Sequence, residues 1–165
     1  MTNRDVTIRP FEAATDIEPL SDIWLEASRR AHPFIGEQRL LAQRGLVKEK
    51  YLPEAETWVA CRCGDPVGFI SLLGSFIGAV FVAPDLQGQG IGRRLIAHAL
   101  ELKGELSLEA YTANAQAMAF YARLGFREVS RRPTDDEGLP FELALLRLAG
   151  QAPGRVTGAL STRPR

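Results

Sequence analysis

Two short stretches of the chain carry residue types that can do chemistry. The first, residues 87–93, reads QGQGIGR, with Gly88, Gly90 and Gly92 on alternating positions. An apolar run, GAVFV, comes just before it, and Ile91, Leu95, Ile96 and Ala99 follow at helical spacing. Glycine inside a helix is about 1 kcal/mol worse than alanine, so its repeated use needs another reason. A helix N-terminus presents unpaired backbone N–H groups and a partial positive charge. Glycine lets that backbone turn tightly and approach an anion. Gln87, Gly88, Gln89, Gly90, Ile91, Gly92 and Arg93 therefore read as a cradle for a phosphate or pyrophosphate, with Arg94 next in line to add charge. The plainer alternative is a glycine-rich turn with no ligand. A Walker loop is excluded, because no Gly-Lys is followed by Ser or Thr. The G-x-G-x-G spacing, after antiparallel hairpins, does not fit the dinucleotide fingerprint either.

The second stretch, residues 114–126, reads NAQAMAFYARLGF. As a helix it puts Asn114, Met118 and Tyr121 on one stripe. Asn114 suits a helix N-cap, and Tyr121 offers a phenol with a reference pKa of ~10. Each also has a plainer reading, a cap alone and a core residue alone. Elsewhere His32, in the segment HPFIG, is a side chain that titrates near neutrality. His98, mid-helix, reads as exposed.

These residues need a scaffold. Alternation predicts strands over 6–9, 57–62, 67–73, 76–82, 106–110, 126–130 and 141–148. Helical spacing predicts helices over 16–30, 37–51, from the glycines to about 102, and over 114–124. Gly125 suits a helix end, and Cys63-Gly64-Asp65-Pro66 a hairpin turn. The order β-α-α-β-β-β-α-β-α-β-β implies an α/β fold with a mixed, mostly antiparallel sheet flanked by helices. One domain is expected over 1–149. The tail at 150–165, rich in Gly and Pro without a period, is expected to be disordered.

Composition narrows the classes. Of 165 residues, 45% are hydrophobic and 24% charged, and 20 basic residues balance 20 acidic ones, an ordinary single-domain balance with no global basic field for nucleic acid. No apolar run approaches the roughly 20 residues of a membrane span, and the N-terminus has no apolar secretory core, so a cytoplasmic protein with no membrane partner is expected. Cys61 and Cys63 are expected as reduced thiols on one strand face, too few ligands for zinc.

The two stretches, in this order, resemble the GNAT superfamily of acetyl-CoA-dependent N-acetyltransferases, of the small bacterial single-domain type. FVAPDLQGQGIGRRL is similar to its Gln/Arg-x-x-Gly-x-Gly/Ala pyrophosphate motif, with Gln87, Gly90 and Gly92 on the fixed positions. NAQAMAFYARLGF is similar to its Asn-x-x-Ala-x-x-Phe-Tyr-x-x-x-Gly-Phe helix. The resemblance spans residues 6–148. It implies that the pyrophosphate lies on residues 87–93, and that the pantetheine arm runs along the strand ending at Phe81 and Val82, splayed from its neighbour. Asn114 would touch that arm, and Tyr121 would protonate the leaving thiolate. No metal is implied. Relatives often carry a carboxylate where this chain has Gly78, which leaves His32 as the leading general base and Glu109 as a second, with a water chain or capture of the already neutral amine as equal alternatives. Trp24, His32 and Phe34 are expected to line the acceptor site. The acceptor would be an amine of a protein lysine, a protein N-terminus or a small molecule, and the protein a monomer or homodimer. Two alternatives are a non-catalytic acyl-CoA-binding module and an acyltransferase using another short acyl-CoA.

Overall fold

The computed structural model describes residues 5–150. Seven strands form one sheet: β1 (Val6–Pro10), β2 (Glu56–Arg62), β3 (Asp65–Leu73), β4 (Phe76–Val82), β5 (Glu105–Tyr111), β6 (Arg127–Arg132) and β7 (Leu143–Ala149). Their spatial order is β1-β2-β3-β4-β5-β7-β6. Every neighbouring pair is antiparallel except β4 and β5. This is the expected mixed, mostly antiparallel sheet.

The helices are α1 (Ala13–Ala31), α2 (Glu37–Leu46), α3 (Leu52–Glu54), α4 (Ile91–Lys103) and α5 (Ala115–Leu124). Between α2 and α3 the chain stays helical through a π-turn, Val47–Tyr51. Pro53 therefore sits inside the last helical turn, two residues beyond the expected end of the helix at 51.

The alternation that predicts the strands also divides the core. In β5, Leu106, Leu108 and Ala110 are buried while the residues between them are half-buried. Those three join Ile91, Leu95, Ile96 and Ala99 of α4 in one apolar layer, against which Met118, Phe120 and Tyr121 of α5 pack. On the other face, Leu20, Ile23, Trp24 and Leu25 of α1 and Leu40 of α2 cover Val59, Cys61 and Phe69. Each fully buried Leu or Phe contributes roughly 1.5–3 kcal/mol.

One ion pair pins α1 to β1. Asp16 is 1% exposed and takes both Arg9 guanidinium nitrogens at 2.8 Å, plus the Glu12 N–H at 2.7 Å. The Arg9 hydrogen bond holds its carboxyl below the usual range. Helix α1 accordingly starts three residues before the expected position.

Three local expectations are corrected. Arg62 pairs with Asp65, leaving a two-residue loop in which Cys63 and Gly64 have φ of +55° and +83°. That is the primed hairpin turn, which needs positive φ at both central residues. Cys63 is thus exposed in the turn while Cys61 is buried in β2, so the two thiols do not share a face. His98 is half-buried rather than exposed, with its ring 4.5 Å from that of Trp58. Phe141 lies before β7 and packs on Phe34 instead of extending the strand. The expected tail lies outside the described residues apart from Gly150, whose N–H bonds the Gly104 carbonyl at 2.8 Å.

Candidate functional site

The site begins with a flaw in the sheet. Pairing between β3 and β4 steps from Ser71↔Ala79 to Leu72↔Ile77, so Gly78 is an extra, bulged residue in β4. A bulge bends its strand. On the other side, β4 and β5 share only Phe76↔Ser107 and Ile77↔Leu108 before they separate. The gap is a cleft of ≈ 540 Å³ that runs through the sheet. Gly78 to Val82 form one wall and Leu108 to Tyr111 the facing one.

The glycine stretch closes one end. Gly88 and Gly90 have φ of +82° and +86°, which an L side chain adopts only at a cost, and Gly90 is the N-cap of α4. A Cβ on Gly92 would stand 3.3 Å from the Phe120 ring, so its absence lets α4 and α5 approach. The Gln87 amide donates to the Val82 carbonyl at 3.2 Å and braces the loop on β4. Gln87, Gly88, Gly90, Ile91, Gly92 and Arg93 all line the cleft. Gln89 does not: its Oε1 accepts from Arg62 at 3.1 Å, which ties the loop to β2. Arg94 donates to the Val6 carbonyl at 2.6 Å, on the β1 side. Of the two arginines that follow the glycines, Arg93 is the one that lines the cleft, beside the N-terminus of α4.

Helix α5 forms the next wall, through Asn114, Gln116, Ala117, Phe120, Tyr121 and Arg123. Asn114 is its N-cap, with Oδ1 accepting from the Ala117 N–H at 3.1 Å. The Tyr121 ring packs on Phe120 and Phe126, at 5.4 Å from each. Burial pushes its phenol up to about 12, so the O–H keeps its proton throughout the neutral range.

The face toward α1 is lined by Ala27, Ala31, His32, Glu109 and Tyr111. His32 is mostly buried, which lowers its imidazole to about 4 and leaves it neutral near pH 7. Its Nε2 lies 3.3 Å from the Asn114 amide nitrogen. As a proton acceptor it is both weak and already engaged. Glu109 is bound by Arg132 through two contacts, at 2.9 and 2.7 Å, so this carboxylate is compensated as well. Trp24 does not reach the cleft. It is 9% exposed and stands edge-on behind Phe81, with centroids 6.3 Å apart. Phe34 backs His32 and Tyr111 at 5.8 and 5.3 Å without lining the cleft. Of the three expected acceptor residues, only His32 is on the wall.

Tyr111, Gln116 and Arg123 are cleft residues that the sequence reading missed. For Arg123 a signal existed, since it lies close to Tyr121 on the same short helix. Tyr111 ends β5 and gave none. Among the described residues, no group of three or more His, Cys, Asp or Glu is arranged to hold a metal.

This geometry suits a long, flexible ligand with a diphosphate at one end and an extended arm at the other. The glycine loop suits the anion, the unpaired edge of β4 suits the arm, and the gap opens toward α1.

The family model described as "Acetyltransferase (GNAT) domain" matches residues 53–128. Peptidyl-lysine N-acetyltransferase YjaB of Escherichia coli (strain K12) is 38% identical over 134 residues, covering 81% of this chain and 90% of that protein. Peptidyl-lysine N-acetyltransferase YiaC of the same organism is 34% identical over 127 residues, 76% of this chain and 87% of its own. The solution structure of apo-form YjaB from Escherichia coli superposes with a TM-score of 0.80 at 35% identity, over 88% of this chain and 99% of that one. YncA from Salmonella typhimurium, solved with its cofactor acetyl-CoA, shares the fold at a TM-score of 0.62 and 18% identity, over 89% and 95% of the two chains.

Proposed function

The chain belongs to the GNAT acetyltransferase family and is an acetyl-CoA-dependent N-acetyltransferase; we propose that its acceptor is the ε-amine of a lysine in a polypeptide, attacked directly in a ternary complex. The observation that carries this reading is the cleft through the sheet. It brings the glycine loop, an unpaired strand edge and the Tyr121 phenol together along one cleft, open toward α1. The two relatives at 38% and 34% identity, both named peptidyl-lysine N-acetyltransferases, support the choice of acceptor.

When bound, acetyl-CoA supplies an activated acetyl thioester. The N–H groups of the 87–93 loop and Arg93 hold its diphosphate. The free edge of β4 beyond the Gly78 bulge binds the arm as an added strand. Backbone N–H groups near Phe81 and Val82 polarise the acetyl carbonyl. Asn114 borders the arm, and the Tyr121 hydroxyl, kept protonated by burial, faces the departing sulfur. Small walls at Ala27 and Ala31 admit an unbranched lysine stem. The amine must arrive or become neutral, and its proton leaves through the open mouth to water. Holding both partners in one cleft supplies much of the rate.

The test is release of free thiol from acetyl-CoA with three acceptor sets: internal-lysine peptides with blocked N-termini, lysine-free peptides with a free N-terminal alanine, and small primary amines. Turnover with the lysine peptides, together with acetyl found on the ε-nitrogen by mass spectrometry, supports the proposal. Turnover confined to N-termini or to small amines overturns the choice of acceptor. Binding of acetyl-CoA with no turnover on any amine points to a non-catalytic acyl-CoA-binding module.

A further inference from the structure

We propose that His32 is a positioning residue, whose hydrogen bond with Asn114 joins the α1 side of the cleft to α5 and fixes the geometry in which acetyl transfer occurs. The two residues are 82 positions apart, yet both line the cleft. The donor and acceptor roles follow by elimination. Asn114 Oδ1 already accepts from the Ala117 N–H, so its amide NH₂ is what faces His32 at 3.3 Å. Nε2 must then accept, which puts the proton of the neutral ring on Nδ1.

The rest of the surroundings hold the imidazole in place. Its ring stands edge-on to Tyr111 at 4.9 Å and to Phe34 at 5.8 Å. The backbone N–H of His32 closes α1 by bonding the Ser28 carbonyl at 2.8 Å, and Pro33 follows directly. Asn114 in turn is the cap of the ten-residue helix that carries Tyr121. A shift of the α1 end is thereby passed to the helix bearing the phenol. Displacement of a reacting group by about 1 Å can cost on the order of a hundredfold in rate.

The inference rests on acetyl transfer in this cleft, and its test reads transfer and acetyl-CoA binding separately. Three single variants and one double variant are needed. His32→Phe keeps the ring packing and removes the acceptor. His32→Gln retains an acceptor. Asn114→Ser keeps a helix cap and removes the amide donor. Expected for His32→Phe and for Asn114→Ser is a loss of about tenfold in kcat/KM, the scale of one hydrogen bond. Expected for His32→Gln is recovery to within about threefold, on that same scale, with the pH profile of kcat/KM keeping its shape. The double variant His32→Phe/Asn114→Ser should be no worse than either single one, because both delete the same bond. Wild-type rates in His32→Phe overturn the proposal. So does a double variant whose losses multiply. Failure of His32→Gln to recover, with loss of the acidic limb of the profile, makes His32 the proton acceptor instead. If His32→Phe does not fold, the His32→Gln profile and Asn114→Ser still decide. If no variant and no wild type transfers acetyl while acetyl-CoA still raises Tm, the activity has failed rather than the positioning.

Discussion

Replacing Tyr121 by Phe removes one oxygen and leaves the ring contacts with Phe120 and Phe126 intact. The phenol is raised to about 12 by burial, whereas a thiol has a reference pKa of ~8.5. Complete proton transfer from tyrosine to a thiolate is then uphill by about 3.5 units, or roughly 5 kcal/mol at about 1.4 kcal/mol per unit. In the proposed role the hydroxyl would therefore act mainly by donating a hydrogen bond to the sulfur as its charge grows. A bond to a charged group contributes about 1.5–3 kcal/mol, so kcat should fall about 10- to 100-fold. Acetyl-CoA affinity, read from the thermal shift, should stay within about twofold, since ground-state binding does not use a charged sulfur. The assay is thiol release at saturating acetyl-CoA, repeated with acetyl thioesters of more acidic thiols. The deficit of the variant should shrink as the leaving thiol becomes more acidic. A kcat within about twofold of wild type, or a deficit independent of the leaving group, refutes this role.

Gly90→Ala forces a side chain into φ +86° at the N-cap of α4, at a cost of about 1–2 kcal/mol. The displaced N–H groups should weaken acetyl-CoA binding at least about tenfold by calorimetry, if the loop is the diphosphate cradle. Arg9→Ala strands the Asp16 carboxylate, which is 1% exposed. Loss of about 3 kcal/mol is expected, which for a domain of this size lowers Tm by about 6–12 °C. Acid should also destabilise the fold through His32. Its folded pKa of about 4 lies below the reference of 6.5, so the unfolded chain takes up the proton first. That stability is complete above pH 6.5 and is lost as pH falls toward 4, by up to about 3 kcal/mol. Asp16, held low by Arg9, adds a further loss as pH falls below its ordinary value of 3.8. A Tm that is flat from pH 7 to 4.5, or one whose slope is unchanged in His32→Gln, refutes the His32 part.

The local grammar of the chain was readable where neighbours in sequence are neighbours in space. Gly88 and Gly90 do take positive φ before α4, and Asn114 does cap α5. The alternation in β5 is the one that buries Leu106, Leu108 and Ala110. What escaped was decided by partners far along the chain. His98 reads as a surface residue of α4 until β2 brings Trp58 against it. Trp24 and Phe34 have the right types for an acceptor wall, yet packing against Phe81 and Phe141 draws them behind it. Glu109 looked like a spare carboxylate because nothing nearby in sequence announces Arg132. The hairpin at 63–64 was legible as a turn, but its two-residue length, which takes Cys63 out of the strand, depends on register with β3.

Two rungs, Phe76↔Ser107 and Ile77↔Leu108, are all that join β4 to β5. The seven strands are thus two smaller sheets, β1–β4 and β5–β7–β6, stitched at one end and parted at the other. In the proposed binding mode an extended arm bonded along β4 would lengthen the stitching, making the acyl donor a piece of secondary structure as well. The amides of residues 78–82 are where it should slow exchange with solvent most. Resistance to heat and to proteases should then rise and fall with the concentration of the donor.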